Sequence, residues 1–164
     1  MTLLTDEERC RATALRILSH RWNSAQELEA KLRSKQFERP LVNRVIQSLR
    51  EEGWIDDRRY AESAAREATR KNLGARRIER QLAHAGVDEI VARTAIAAVV
   101  DGAGEEARLA DVCRKKIRIM LRRSRAALSD EKGRNKLVSF LLKQGYEYAA
   151  VREVVEAQLK GSGC

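Results

Sequence analysis

The chain writes one helical pattern three times. The stretches SAQELEAKLRSKQF (24–37), GARRIERQLAHAGV (74–87) and GRNKLVSFLLKQGY (133–146) align without gaps. Leu28, Ile78 and Leu137 share one position; Leu32, Leu82 and Leu141 share another. Phe37, Val87 and Tyr146 follow, then Leu41, Val91 and Ala150, then Ile46, Ile96 and Val155. The offset is 50 residues between the first two copies and 59 between the last two. A match sustained over two helix-length segments is an internal repeat. Units of this size bury little alone, so stacked neighbours must cover the faces each leaves open. The pattern predicts an all-α fold, an elongated, curved array of three tandem three-helix repeats of helix-turn-helix type. The expected boundaries are 1–56, 57–104 and 105–160, with 161–164 a flexible tail and few contacts between the first and third repeats.

Local signals place the helices. In the first repeat they fall at about 6–20, 24–35 and 40–52. Thr5 with Glu8 and Ser24 with Glu27 both fit the capping box, in which two side chains satisfy free amides at a helix start. Pro40 suits a first helical turn, where its missing N–H is not needed. Gly53 is a natural stop. The second repeat is read at 57–71, 75–85 and 88–100, with Asp88 as a cap. The third is read at 105–126, 134–144 and 147–160, with ALSDEKGR as a loop that accounts for the longer offset. Gly86 and Gly145 end the middle helices of these two repeats, where a left-handed residue is favoured. Leu109, Cys113, Ile117, Met120 and Leu121 recur on one face of the long helix. Ala61, Ala64, Ala65 and Ala68 make a small-residue face. Only 4% of residues are aromatic and there is a single Pro, which argues against an all-β protein.

Charge narrows the partner class. The net charge is +9, which favours an anionic partner such as nucleic acid. It is uneven: +1 over 1–56, +2 over 57–104 and +6 over 105–164. In RKKIRIMLRRSR (114–125), seven of twelve residues are basic. Lys115, Arg118, Arg122 and Arg125 recur at helical spacing on one face, with Arg114, Lys116 and Arg123 beside them. No Asp or Glu occurs from 112 to 129, so these cations are expected to lack local partners. A weaker stripe comprises Arg66, Arg70, Lys71, Arg76, Arg77 and Arg80, with Glu67 and Glu79 as local partners. Both stripes are candidates for contact with an anionic partner.

Other chemistry is poorly supported. Cys10, Cys113 and Cys164 form no C-x-x-C pair, and read as two buried helical thiols and one tail thiol. His20 and His84 read as surface or boundary residues. Trp22, Trp54 and Tyr60 sit at helix ends, where structural packing is expected rather than base stacking. No nucleophile–base or carboxylate pair has a supporting motif, so an enzyme is not expected, and no cofactor or metal is expected. No apolar run approaches the roughly 20 residues needed to cross a bilayer, and MTLLTDEERC lacks an export signal, so a cytoplasmic monomer with no membrane partner is expected. The three-helix units leave an autonomous DNA-binding transcription regulator open as an alternative. In that case the middle helices would read bases, although the first copy is nearly neutral.

The stretch LREEGWIDDRRYAESAAREATRKNLGARRIERQL (49–82) resembles the RecX regulatory protein family. An acidic pair, a basic residue and an aromatic precede a basic segment and a G-x-x-R-I helix. Asp56, Asp57, Arg59, Tyr60, Ala61, Gly74, Arg77, Ile78 and Leu82 carry the match, and ALRILSHRWNSAQELEAKLRSKQF (14–37) is similar to the family's first unit. Tyr60 stands where the family pattern more often has Phe. The resemblance implies tandem three-helix repeats. It also implies binding to the RecA recombinase and its nucleoprotein filament, with restraint of filament extension, ATPase, strand exchange and coprotease functions. Single-stranded DNA stays open as a direct partner. Asp56, Asp57, Tyr60, Gly74, Ile78 and Leu82 are expected to be structural, the acidic pair by capping the helix it starts. The basic positions rest on charge alone.

Overall fold

The computed structural model describes residues 5–161. Among them are nine α-helices and no strand. They are α1 (Asp6–Leu18), α2 (Ala25–Ser34), α3 (Arg39–Glu51), α4 (Asp57–Arg70), α5 (Ala75–His84), α6 (Glu89–Ala97), α7 (Gly102–Arg123), α8 (Glu131–Gln144) and α9 (Tyr148–Gly161). Cys164 and the rest of the expected tail beyond Gly161 lie outside the described residues.

Most helix ends follow the local signals. Thr5 and Glu8 form the full capping box. Ser24 caps α2 through the Glu27 amide, but the Glu27 carboxylate does not return the bond. It accepts instead from the Tyr60 hydroxyl at 3.0 Å and pairs with Arg21 at 3.1 Å. Asp88 accepts from the Ile90 amide at 2.9 Å. Two starts differ from the expected ones. Asp101 caps the Gly104 amide and Asp130 caps the Gly133 amide, so α7 and α8 each begin three residues earlier than expected. A side-chain cap satisfies an amide that would otherwise be open, which offsets the poor helix propensity of glycine in the first turn. α7 also ends sooner, because Ser124 is extended (φ −157°, ψ 127°).

The chain forms two compact units. The first runs to Ala64 and takes in Gln81–Ala95; the second comprises Ala65–Arg80 and the chain from Ile96. The first packs α1, α2 and α3 around Cys10, Ala14, Leu28, Leu32, Val42, Val45, Leu49 and Ile55. The second packs α7, α8 and α9 around Leu109, Cys113, Ile117, Leu137, Leu141, Tyr146, Val151 and Val155. Leu28, Leu32, Leu137 and Leu141 are fully buried, as helical periodicity predicts.

Each unit contains the same joint. In the first, the Ser24 hydroxyl donates to the Ala85 carbonyl at 2.6 Å, and Asp57 accepts from the Ala25 amide at 3.2 Å. In the second, the Gly74 amide donates to the Gln144 carbonyl at 2.9 Å, and Glu105 accepts from the Ala75 amide at 2.7 Å. Ser24 and Gly74 are equivalent in the repeat, as are Ala85 and Gln144. The start of one middle helix therefore docks on the end of the next, beside a left-handed glycine: Gly86 (φ +73°) or Gly145 (φ +96°). An acidic side chain accepts from an amide at each docked helix start, where the helix dipole favours negative charge.

The aromatics are less buried than packing alone implies. Trp22 is 39% and Trp54 51% exposed. The Arg59 guanidinium lies 5.6 Å from the Trp22 ring centroid, so a cation covers part of what the core does not. Tyr60 is buried. Burial, with the Glu27 carboxylate beside it, pushes its phenol up to about 12. Burial also pushes Tyr146, whose hydroxyl donates to the Asn72 carbonyl, up to about 12. A tyrosine pKa near 10 in the unfolded chain and about 12 when folded means that the unfolded state releases its proton first. The stabilisation is complete below pH 10 and is lost as pH rises toward 12. Urea titrations of the wild type should show stability falling across that window, with a shallower fall in Tyr60→Phe. Equal slopes would remove Tyr60 from this account.

Candidate functional site

The long helix α7 is built in two halves around its axis. Leu109, Cys113 and Ile117 point into the core, and burial pushes the Cys113 thiol up to about 11, which disfavours the reactive thiolate. The opposite side carries the basic stripe, which is narrower than its sequence suggests. Asp111, one residue before the acid-free window, pairs with Arg114 at 3.5 Å and Lys115 at 2.7 Å. Those two cations therefore do have local partners, and the Lys115 hydrogen bond holds the Asp111 carboxyl below its usual range. The Lys116 ammonium sits 4.2 Å from the Phe140 ring centroid. Arg125 lies beyond the end of α7, so it does not continue the face that Arg118 and Arg122 share.

Arg118, Arg122 and Arg123 remain. They are exposed on the last turns of α7. No hydrogen bond or ion pair holds any of them among the described residues. Ile119, 49% exposed, stands among them. The patch is thus three guanidinium groups around an aliphatic side chain. Charge and periodicity along α7 mark the cations but not Ile119, the apolar residue among them.

The second stripe divides. Arg66, Arg70 and Arg80 are exposed, and Arg80 donates to the Arg76 carbonyl at 3.3 Å. Lys71 pairs with Glu67 at 2.6 Å. Arg76 pairs with Glu147. Arg77 is partly buried against the end of α8, donating to the Lys143 carbonyl at 3.3 Å and the Gln144 side chain at 3.2 Å. Arg77 supplies cation and donors where the last carbonyls of a helix need them. Arg76, still exposed, and Arg77, partly buried, thus brace the second joint.

The motif residues also converge on the joints. Asp56 accepts from the Arg58 and Arg59 amides at 2.9 and 3.1 Å, capping α4. Asp57 does not cap its own helix: it takes the Ala25 amide and pairs with Arg50 at 3.3 Å. Tyr60 ties to Glu27 of α2, and Gly74 is buried where an added Cβ would lie 2.5 Å from the Gly145 backbone. Ile78 and Leu82 are buried. Among the described residues, no group of three His, Cys, Asp or Glu side chains could hold a metal ion, and no helix is long and apolar enough to cross a membrane.

Comparison with known proteins gives a consistent result. Residues 10–49 match the model for the first three-helix domain of RecX, and residues 56–96 the model for its second three-helix domain. The regulatory protein RecX of Mycobacterium sp. (strain JLS) is 30% identical over 161 residues, covering 94% of this chain and 84% of that protein. The regulatory protein RecX of Mycobacterium ulcerans is 32% identical over 155 residues, covering 93% and 86%. The crystal structure of RecX from Lactobacillus salivarius superposes with a TM-score of 0.71 at 24% identity, covering 93% of this chain and 96% of that one. At that identity the superposition speaks for the fold.

Proposed function

The chain belongs to the RecX family of regulatory proteins, and we propose that it binds the RecA recombinase in the cytoplasm, chiefly as the RecA filament on single-stranded DNA. It restrains filament extension and thereby ATP hydrolysis, strand exchange and coprotease function. Three repeats, 1–56, 57–104 and 105–160, give one monomeric chain several modest contacts, and linked contacts gain avidity without one dominant site.

The observation that supports this reading is the patch at the end of α7. Arg118, Arg122 and Arg123 are exposed, have no partner among the described residues, and surround a half-exposed Ile119. Mixed guanidinium and aliphatic surface suits a protein face, where Arg is enriched and an apolar side chain adds burial. Arg66, Arg70 and Arg80 are the further contacts proposed. Direct contact with the DNA of the filament is compatible with the same cations.

The test uses RecA preassembled on single-stranded DNA. Substoichiometric protein should lower its ATPase rate. Inhibition only at protein sufficient to coat all free DNA would replace this reading with simple competition for DNA. Preference for one duplex sequence at physiological salt would replace it with transcription regulation. Reversing Arg118, Arg122 and Arg123 to Glu should weaken filament binding roughly tenfold or more, at about 0.5 kcal/mol per exposed charge. It should also reduce the salt dependence while leaving helicity intact. Unchanged affinity would return the patch to an ordinary solvated face.

A further inference from the structure

Beside the arginine patch, within the same compact unit and sharing Arg123 with it, lies a trough. One end is a concavity of about 430 Å³ between the last turns of α7, the 124–130 turn and the start of α8. Its lining includes Lys116, Met120, Arg123, Ala126, Ala127 and Phe140. The other end is a shallower concavity of about 910 Å³ along α8, reaching Ser139 and Lys143. Lys132, Lys136 and Phe140 border both, so the two are continuous. The trough has an apolar floor of Met120, Phe140 and alanines, and cations along its length.

We propose that this trough binds an acidic peptide segment that carries one aliphatic or aromatic anchor. Charge complementarity selects the acidic backbone of the ligand. Among the residues that line the trough, Lys116, Arg123, Lys132, Lys136 and Lys143 are accompanied by two acidic side chains, Asp130 and Glu131. Asp130 is already committed to the Gly133 amide at 2.7 Å. Arg123, Lys132, Lys136 and Lys143 have no ion pair among the described residues. The floor selects the anchor, since a purely polar ligand would leave Met120 and the alanines uncovered.

The other anionic ligands fit less well. A phosphate group favours free helix-start amides and paired Arg forks. Here Asp130 occupies the α8 start and four of the five cations are lysines. Single-stranded nucleic acid favours an open aromatic face for base stacking, whereas the Phe140 ring is half-buried and Lys116 lies over it at 4.2 Å. Length also suits a peptide. Lys132 to Lys143 spans about 16 Å of helix, the length of about five residues of extended chain.

The assay is fluorescence polarisation with the full chain and a labelled acidic nonapeptide, Asp and Glu throughout except a central Leu. Saturable binding is expected at physiological salt. Lys136→Glu with Lys143→Glu should weaken it about tenfold or more; both side chains are exposed, so folding is retained. Arg118→Glu with Arg122→Glu, outside the trough, should change it less than about threefold. Exchanging the central Leu for Ser should weaken binding several-fold. Equal loss from both variant pairs, indifference to the anchor, or no saturable binding would overturn the proposal. So would an oligo(dT) of equal charge that binds more tightly. The outcome is separable from RecA regulation: Lys136→Glu with Lys143→Glu reads the trough, whereas Arg118→Glu with Arg122→Glu should spare peptide binding and weaken filament binding.

Discussion

Gly145→Ala will destabilise the protein by about 2–5 kcal/mol in urea or thermal unfolding. Two costs combine. At φ +96° an L-residue is strained, which costs roughly 1–2 kcal/mol. A Cβ there would also collide with the backbone of Arg77, and forcing atoms into a packed contact costs about 1–3 kcal/mol. Neither neighbour can give way easily. The Gly145 carbonyl accepts from the Arg76 amide at 3.2 Å, and the Gly74 amide donates to the adjacent Gln144 carbonyl at 2.9 Å. The control is Gly53→Ala. Gly53 has φ +78° but nothing within 4 Å of its added Cβ, so only the conformational cost of roughly 1–2 kcal/mol applies. If both variants lose the same stability, close approach at the second joint contributes nothing.

Leu141→Ala will cost about 2–5 kcal/mol, from lost burial and the cavity left behind. Leu141 is fully buried among Leu109, Ile117, Leu137 and Val155. Leu32, its counterpart in the first repeat, is equally buried and should behave alike. Ile90 offers the contrast: it is as apolar, and lies on a helix, but is 76% exposed. Ile90→Ala should change stability by less than about 0.5 kcal/mol. A large loss at Ile90, or a small one at Leu141, would mean that the assigned core is wrong.

The basic surface shows where one-dimensional reading stops. Arg76 and Arg77 looked equivalent to Arg80 because all three lie on the polar side of α5. Their partners, Glu147 and the end of α8, lie some 70 residues further along the chain. Asp57 looked like a cap for its own helix, but the Ala25 amide that it satisfies comes from the first repeat. Lys115 looked unpaired because Asp111 falls just outside the acid-free window. That pairing was legible at i,i+4 spacing. The trough along α8 was partly so: Lys132 and Lys136 share a face with Phe140, but its floor needs α7 and the turn as well.

Helix periods, caps and repeat register were readable in the chain because each depends on residues within a turn or two of one another. Leu28 and Leu137, the Thr5 box and the left-handed Gly86 and Gly145 all follow from such short-range geometry. Which cations stay free, and which acidic or aromatic side chain closes a joint, depended on folding. Those outcomes hang on distances between segments that the chain brings together only when its apolar faces are buried, and no local spacing encodes them.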